Sequence, residues 1–374
     1  MKQQMRWMIW LALVLVAALA PAAHGAPSST EALARVRAAV GYERLQSQAS
    51  GVVARGTARY RGLDSKFTFL FTPDNRYRSE IAGPLGRIAG FNGTVGWEVD
   101  STRMPRVLEL EDLEVEQFRA WIHAGRWMAS DGPFAVTLDA TKTDEQRVAL
   151  SLKLKGGLLE ATVFVDRATW LPQRVTRRSP AGEEIIELTD YREALGFRFP
   201  RRLTRTLGGV TTVFDVSSVA ANQIPSLPLF EPVTARPADT SWDTSAPARV
   251  EAQRMPSGHI LVHPLVNGKD VGWFLLDTGA GGMVIDTKAA ERLAMPALGE
   301  TVVVGAVASR TGKLAWFELG GHRFENLEVE LAAKSGGFSD PYTVGNIGVG
   351  VLCRFRIIFD FGNKRVAFVP RNAA

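Results

Sequence analysis

The chain has 374 residues, of which 46% are hydrophobic and 22% charged, so it can bury more than one core and is not a disordered chain. Its formal net charge is +5, and residues 246–374 carry 14 basic against 12 acidic side chains, so no basic stripe marks a nucleic-acid surface. The single cysteine, Cys353, excludes an internal disulfide.

Residues 1–25 read as a signal peptide. Lys2 and Arg6 supply the positive start, and residues 7–20 form an apolar run. That run is shorter than the roughly 18–20 residues needed to span a bilayer. Ala23, His24 and Gly25 place small residues at both cleavage positions, so the cut is expected before Ala26. Loss of Lys2 and Arg6 would lower the net charge to +3. No cysteine follows to carry a lipid anchor. The mature protein is expected in the periplasm or outside the cell.

A helix is predicted over 29–44, capped by Ser29 or Thr30, with Leu33, Val36 and Val40 near one face. From Gly51 the period changes to two. Strands are predicted at 51–59, 66–71, 77–82, 87–91 and 95–99, with Asn92-Gly93 as a turn signal. A second helix is expected over 114–128. Strands resume at 134–139, 147–154, 160–165, 172–177, 183–189, 196–206 and 210–217. So many short strands with regular turns predict a curved antiparallel sheet, with helices on one face. Phe67, Phe69 and Phe71 share a face and would line any apolar site there, whereas Lys66, Thr68 and Leu70 would face outward. Residues 221–247, rich in Pro and polar residues, read as a linker held by apolar anchors such as Leu229 and Phe230.

A second β-rich region follows, over 248–374. The strand Trp273-Phe274-Leu275-Leu276 runs into Asp277-Thr278-Gly279-Ala280. A carboxylate directly after an apolar strand is expected to be close to buried, which is costly unless it is paired or has a use. Thr278 could bond nearby backbone, and Gly279 lets its N–H approach the carboxylate. The flanking pattern is a strand at 259–266, a turn at Asn267-Gly268, a strand at 283–286, a short helix at 287–293 and a hairpin around 301–319. Ile347-Gly348 and Leu352-x-x-Phe355 come next, before a strand at 357–361 and a Gly362-Asn363 turn.

With these features in order, residues 250–370 resemble the bacterial retropepsin-like aspartic protease domain. The resemblance implies a β-barrel-like fold with one half-site per chain. It makes Asp277 the catalytic acid, with Thr278 and Gly279 in the loop that braces it. Ala280, Gly305 and Ala306 would contact substrate, the last two at the flap tip. Residues 280–282 carry no acid to grip a peptide backbone. Residues 28–220 loosely resemble the half-barrel of outer-membrane lipoprotein carriers, through the opening helix, the long meander and the Asp190-Tyr191-Arg192 turn leading to 196–202. That likeness implies a concave face able to hold a lipid or acyl chain, or simply one filled by core.

The chemistry agrees with the C-terminal resemblance. Hydrolysis without a metal or nucleophile needs one carboxylate to take a proton from water and another to give one. Two such groups side by side share a single proton and titrate as a unit. The chain has one Asp-Thr-Gly, so the second carboxylate is expected from Asp277 of another copy. The resemblance implies that strands at the domain's chain ends, here residues 250–254 and 365–370, join the copies. The expected function is an exported aspartic endopeptidase acting on peptide or protein substrates as a homodimer, without metal or cofactor. The alternative is a non-catalytic lipid- or lipoprotein-binding protein with a protease-like module.

Other residues read blandly. His259 and His263 share a face but lack a third ligand. Cys353 lies in an apolar run. Gly345, Gly348 and Gly350 have the wrong spacing for a dinucleotide site. Glu183, Glu184, Glu328 and Glu330 read as solvated strand faces.

Overall fold

The computed structural model describes residues 27–47, 51–83, 86–179, 182–221, 227–234, 240–242, 249–304, 307–334 and 340–371. The expected signal peptide and most of the 221–247 segment lie outside these residues. The protein is mainly β, with a large curved antiparallel sheet and further sheets after it.

Period-two alternation builds the first sheet. It begins with Val52–Tyr60 and passes hairpin by hairpin to an edge at Pro105–Val107. The helix Leu110–His123 carries the chain to the other edge, Phe134–Leu138. Strands then return one at a time until Val210–Ala221 pairs with Val52–Tyr60. The sheet thus has thirteen strands, each paired with its sequence neighbour except at that closing pair.

The predicted opening helix is split. Ser28 caps Ser29–Val40 by accepting from Glu31 N at 3.2 Å, and Gly41 ends it before a short second helix, Tyr42–Gln46. Ala32, Val36 and Val40, four residues apart, are its buried stripe. The helix predicted over 114–128 starts earlier, at Leu110, and stops at His123. Gly125 has φ 71°, a left-handed conformation that breaks the helix before the turn Arg126–Met128. Both helices pack on the face that carries Phe67, Phe69 and Phe71, all buried.

Two expectations about solvated faces fail. Leu70, expected to face outward, is buried with Val53 under Phe230. Phe230 is held there by its carbonyl, which accepts from Trp97 Nε1 at 2.8 Å, while Leu229 O accepts from Arg78 at 3.0 Å. The outer face is apolar at this point because the chain doubles back over it. Glu184 is also buried, between Arg177 and Arg205, although Glu183 beside it is exposed. Glu98 and Glu116 are buried too, against Arg87, Arg106 and Arg119. Burying these acids is tolerable because each meets at least two guanidinium groups.

The C-terminal strands form a ten-stranded and a five-stranded sheet, the latter joined by Thr240–Trp242. In the larger one Trp273–Leu276 runs parallel to Thr343–Ile347, with Val284–Asp286 antiparallel on the far side of the latter. The strand expected at 259–266 is interrupted at Pro264, giving Ile260–Val262 and Leu265–Val266.

The two regions touch. Glu300 N donates to Arg61 O at 2.7 Å, and the Arg59 side chain pairs with Glu300 at 2.9 Å. Arg354 Nη2 donates to Thr102 O at 2.8 Å, and Arg103 Nη2 to Asn326 O at 3.2 Å. Gly350 allows this approach, since a Cβ there would lie 2.1 Å from the Thr102 methyl. Among the described residues, no helix is long and apolar enough to cross a membrane.

Candidate active site

Asp277 stands where the strand Trp273–Leu276 ends, and its N–H still donates to Ile347 O at 3.0 Å on the parallel neighbour. The backbone then turns sharply, with Ala280 N donating to Asp277 O at 3.3 Å. This brings Gly279 N to 2.9 Å from Asp277 Oδ1. The other carboxylate oxygen accepts from Asn346 Nδ2 at 3.2 Å. Both oxygens therefore have a donor on fixed backbone or on a buried side chain, and the plane of the carboxylate is set from two sides.

Asn346 was not singled out by the sequence reading. Its side-chain oxygen also accepts from Val284 N at 2.8 Å, so one buried amide ties three strands together beneath the acid. The signal was present in Gly345-Asn346-Ile347-Gly348, where a polar residue sits between apolar and small ones. Only the parallel pairing reveals what it faces.

The loop after Asp277 is pinned by the segment that follows Asn346. Val349 N donates to Ala280 O at 2.8 Å and Gly350 N to Gly281 O at 2.9 Å. The two backbones pass so closely at Gly348 that a Cβ there would lie 2.0 Å from Gly282 O. This is the physical reason for glycine after Ile347 in this position.

Asp277 is half-buried, not close to buried, because the loop leaves one side of it open. Thr278 and Gly279 are exposed. The Thr278 hydroxyl makes no hydrogen bond among the described residues, so the expected lock on the turn comes from Gly279 and Asn346 instead. Asp277 opens on a depression of about 350 Å³ that Val284, Val307, Glu330 and Asn346 help to line. Gly305 and Ala306 lie outside the described residues. Ala280 sits at the edge of a second, larger cleft between the two regions.

The other sequence candidates are dispersed. His263 faces Asp270 at 3.0 Å and meets the Trp273 ring edge-on, while His259 contacts Ser257. Burial pushes the Cys353 thiol up. Glu328 and Glu330 are half-buried, contrary to the solvated reading, because the N-terminal region covers them. Burial pushes the Glu328 carboxyl up to about 7. Glu330 lies 3.9 Å from Arg61 of the N-terminal region.

Residues 262–351 match the aspartyl protease family. The matched segment begins within the strand Ile260–Val262 and ends within the helical turn Val349–Leu352, enclosing Asp277, Asn346 and Gly348. No curated protein matches the chain. Among solved structures, a retropepsin-like aspartic protease from Rickettsia conorii is 19% identical, with a TM-score of 0.25, over 34% of this chain and 93% of that one. A LolA superfamily protein from Nitrosomonas europaea is 14% identical, with a TM-score of 0.36, over 50% of this chain and 96% of that one. The Pseudomonas aeruginosa MucA/MucB complex is 14% identical, with a TM-score of 0.18, over 83% of this chain and 99% of that one.

Proposed function

We propose that this protein is an exported aspartic endopeptidase whose catalytic pair is Asp277 from each of two copies. The observation that carries the reading is the carboxylate of Asp277, gripped by Gly279 N–H and the Asn346 amide inside a region that matches the aspartyl protease family. In this mechanism the two Asp277 carboxyls share one proton. The ionised one takes a proton from a water that attacks the scissile carbonyl, and the other protonates the departing amine side. Thr278 and Gly279, exposed beside the acid, leave the loop free to meet its symmetry mate.

The strands expected to join the copies need revision. Arg249–Arg254 pairs with Arg365–Pro370 and with Ile260–Val262 inside the same chain. Arg365–Pro370 is paired along its whole length with Phe355–Asp360. Of the two edge strands of this sheet, Ala297–Val304 and Phe355–Asp360, the second adjoins the expected joining strands, and there Ile358 and Phe359 are exposed with Phe361 just beyond. An apolar open edge is a ready surface for a second copy.

The deciding experiment is peptide-library cleavage by the mature protein and its Asp277→Asn variant. Cleavage by the wild type alone supports the reading, because Asn keeps the shape of the side chain but cannot exchange the proton. Equal cleavage by both would rule it out. The second reading, a periplasmic lipid- or lipoprotein-binding protein, draws on a cavity of about 190 Å³ in the N-terminal region lined by Phe69, Trp127, Leu203 and Phe214. Organic extracts of the purified protein with no acyl lipid above a control protein would count against it.

A further inference from the structure

Between the two regions lies a cleft of about 540 Å³, walled by Arg61, Arg87 and Arg205 on one side and by residues 280–284, Glu328 and Glu330 on the other. It adjoins, at both ends, spaces already described. It shares Val284 and Glu330 with the depression at Asp277. It shares Ile81, Arg87, Arg205 and Phe214 with the apolar cavity of the N-terminal region. The three spaces thus lie in a row, from Asp277, past residues 280–284, to a cavity under the helix Leu110–His123.

The chemistry along the path changes in a consistent way. The cleft carries both signs of charge. Four of its side chains hold a buried polar atom without a hydrogen-bond partner among the described residues: Arg61 Nε, Arg87 Nε, Thr311 Oγ1 and Glu328 Oε2. Those four atoms are themselves closed to solvent; what the cleft presents is guanidinium donors from Arg61, Arg87 and Arg205 and carboxylate acceptors from Glu328 and Glu330, a set that suits a ligand offering both, as a peptide backbone does. A lipid headgroup of one sign would satisfy only half of them. The cavity beyond is different. Its lining among the described residues holds Arg119 and Arg198 but no carboxylate, and the His123 ring stacks on Tyr77 at 5.1 Å beside Phe69. Burial and the neighbouring Arg119 push His123 down to about 4, so near neutral pH its ring is uncharged and part of the wall.

We propose that the N-terminal region supplies a distal subsite for the peptidase. The substrate would be a peptide that carries an apolar group of about the size of one aromatic ring, seated in the cavity, some residues away from the bond held at Asp277. This rests on the peptidase reading for the chemistry, but the binding path stands apart from it. The apolar group could be a short N-terminal acyl chain or one aromatic side chain, which share the same chemistry.

The test uses the full mature chain and one cleaved library peptide in three forms: unmodified, N-hexanoylated, and extended at its N-terminus by one Phe. Wild-type turnover gives kcat/KM for each form, and Asp277→Asn protein gives Kd by fluorescence anisotropy. The expected result is a preference of tenfold or more for at least one apolar form in both measurements, and which form is preferred identifies the source. Ile81→Trp and Ser79→Trp, which narrow the cavity and its entrance, should bring that preference close to one. Circular dichroism would confirm that each variant is folded. Preferential binding without any cleavage would sink the peptidase reading and keep the subsite. Cleavage without preference, or a preference that persists in both folded tryptophan variants, would overturn the subsite. If no library peptide is cleaved, the same three forms of any soluble library peptide go to the binding arm, where equal Kd values overturn it.

Discussion

Asn346 Nδ2 lies 3.2 Å from Asp277 Oδ2, across two strands that run parallel. The same amide accepts from Val284 N, so the residue that orients the acid also holds the strand after its loop. Asn346→Ala removes both bonds. It is expected to lower kcat about 10- to 100-fold with a smaller change in KM, the scale of a reacting group misplaced by about 1 Å. Leaving the Val284 N–H unpaired should also cost about 1–3 kcal/mol of stability. Steady-state kinetics and urea unfolding read the two effects, and kinetics equal to wild type would show that Asn346 does not position Asp277.

Gly348 is a second such dependence, through space rather than through a bond. A Cβ there would meet Gly282 O and Ala280 O, both backbone atoms that cannot rotate away. Gly348→Ala should therefore destabilise by about 1–3 kcal/mol and displace the 280–282 loop. Chemical denaturation would measure the first effect. A stability loss below about 0.5 kcal/mol would contradict the packing described here.

Glu328 gives the protein a pH dependence of definite sign. Its carboxyl is pushed from 4.5 up to about 7, first of all by burial, with Arg103, Lys313 and the Gly86 backbone pulling the other way. A raised acid holds its proton in the folded state at pH values where the unfolded chain has lost it. The stability it contributes is complete below about 4.5 and is lost as the pH rises through about 7. His123, pushed down to about 4, acts in the opposite direction between there and 6.5. The difference between wild type and Glu328→Gln isolates the glutamate. Relative to that variant, wild type should lose stability from pH 5 to 8 in thermal melts, and parallel curves would refute the assignment.

The apolar edge Phe355–Asp360 bears on association. If two copies meet there and at the Asp277 loop, specific activity should rise with concentration in the range of the dimer constant. Phe359→Lys, at a side chain 43% exposed, should shift that range upward about tenfold or more while leaving the monomer folded. Analytical ultracentrifugation alongside activity across a dilution series tests this. Full activity in a strictly monomeric sample would require a second acid from within the chain.

The sequence by itself determined most of the strands, because a period-two pattern and turn residues are local. The meander from Val52 to Ala221 and the Asp277 turn were both legible in that way. Ile347-Gly348 was legible as a pattern, though not its reason, which is that a Cβ at Gly348 would lie 2.0 Å from Gly282 O. Tertiary structure decided what depends on contacts between distant residues. It turned Glu184 and Leu70 inward, since Arg177 with Arg205, and Phe230, reach them from elsewhere in the chain. It made Asn346 the partner of Asp277, 69 positions away, through a parallel pairing that no local period encodes. It also set Arg61 and Arg87 opposite Glu328 and Glu330, forming a cleft from two regions whose sequences each describe only their own half.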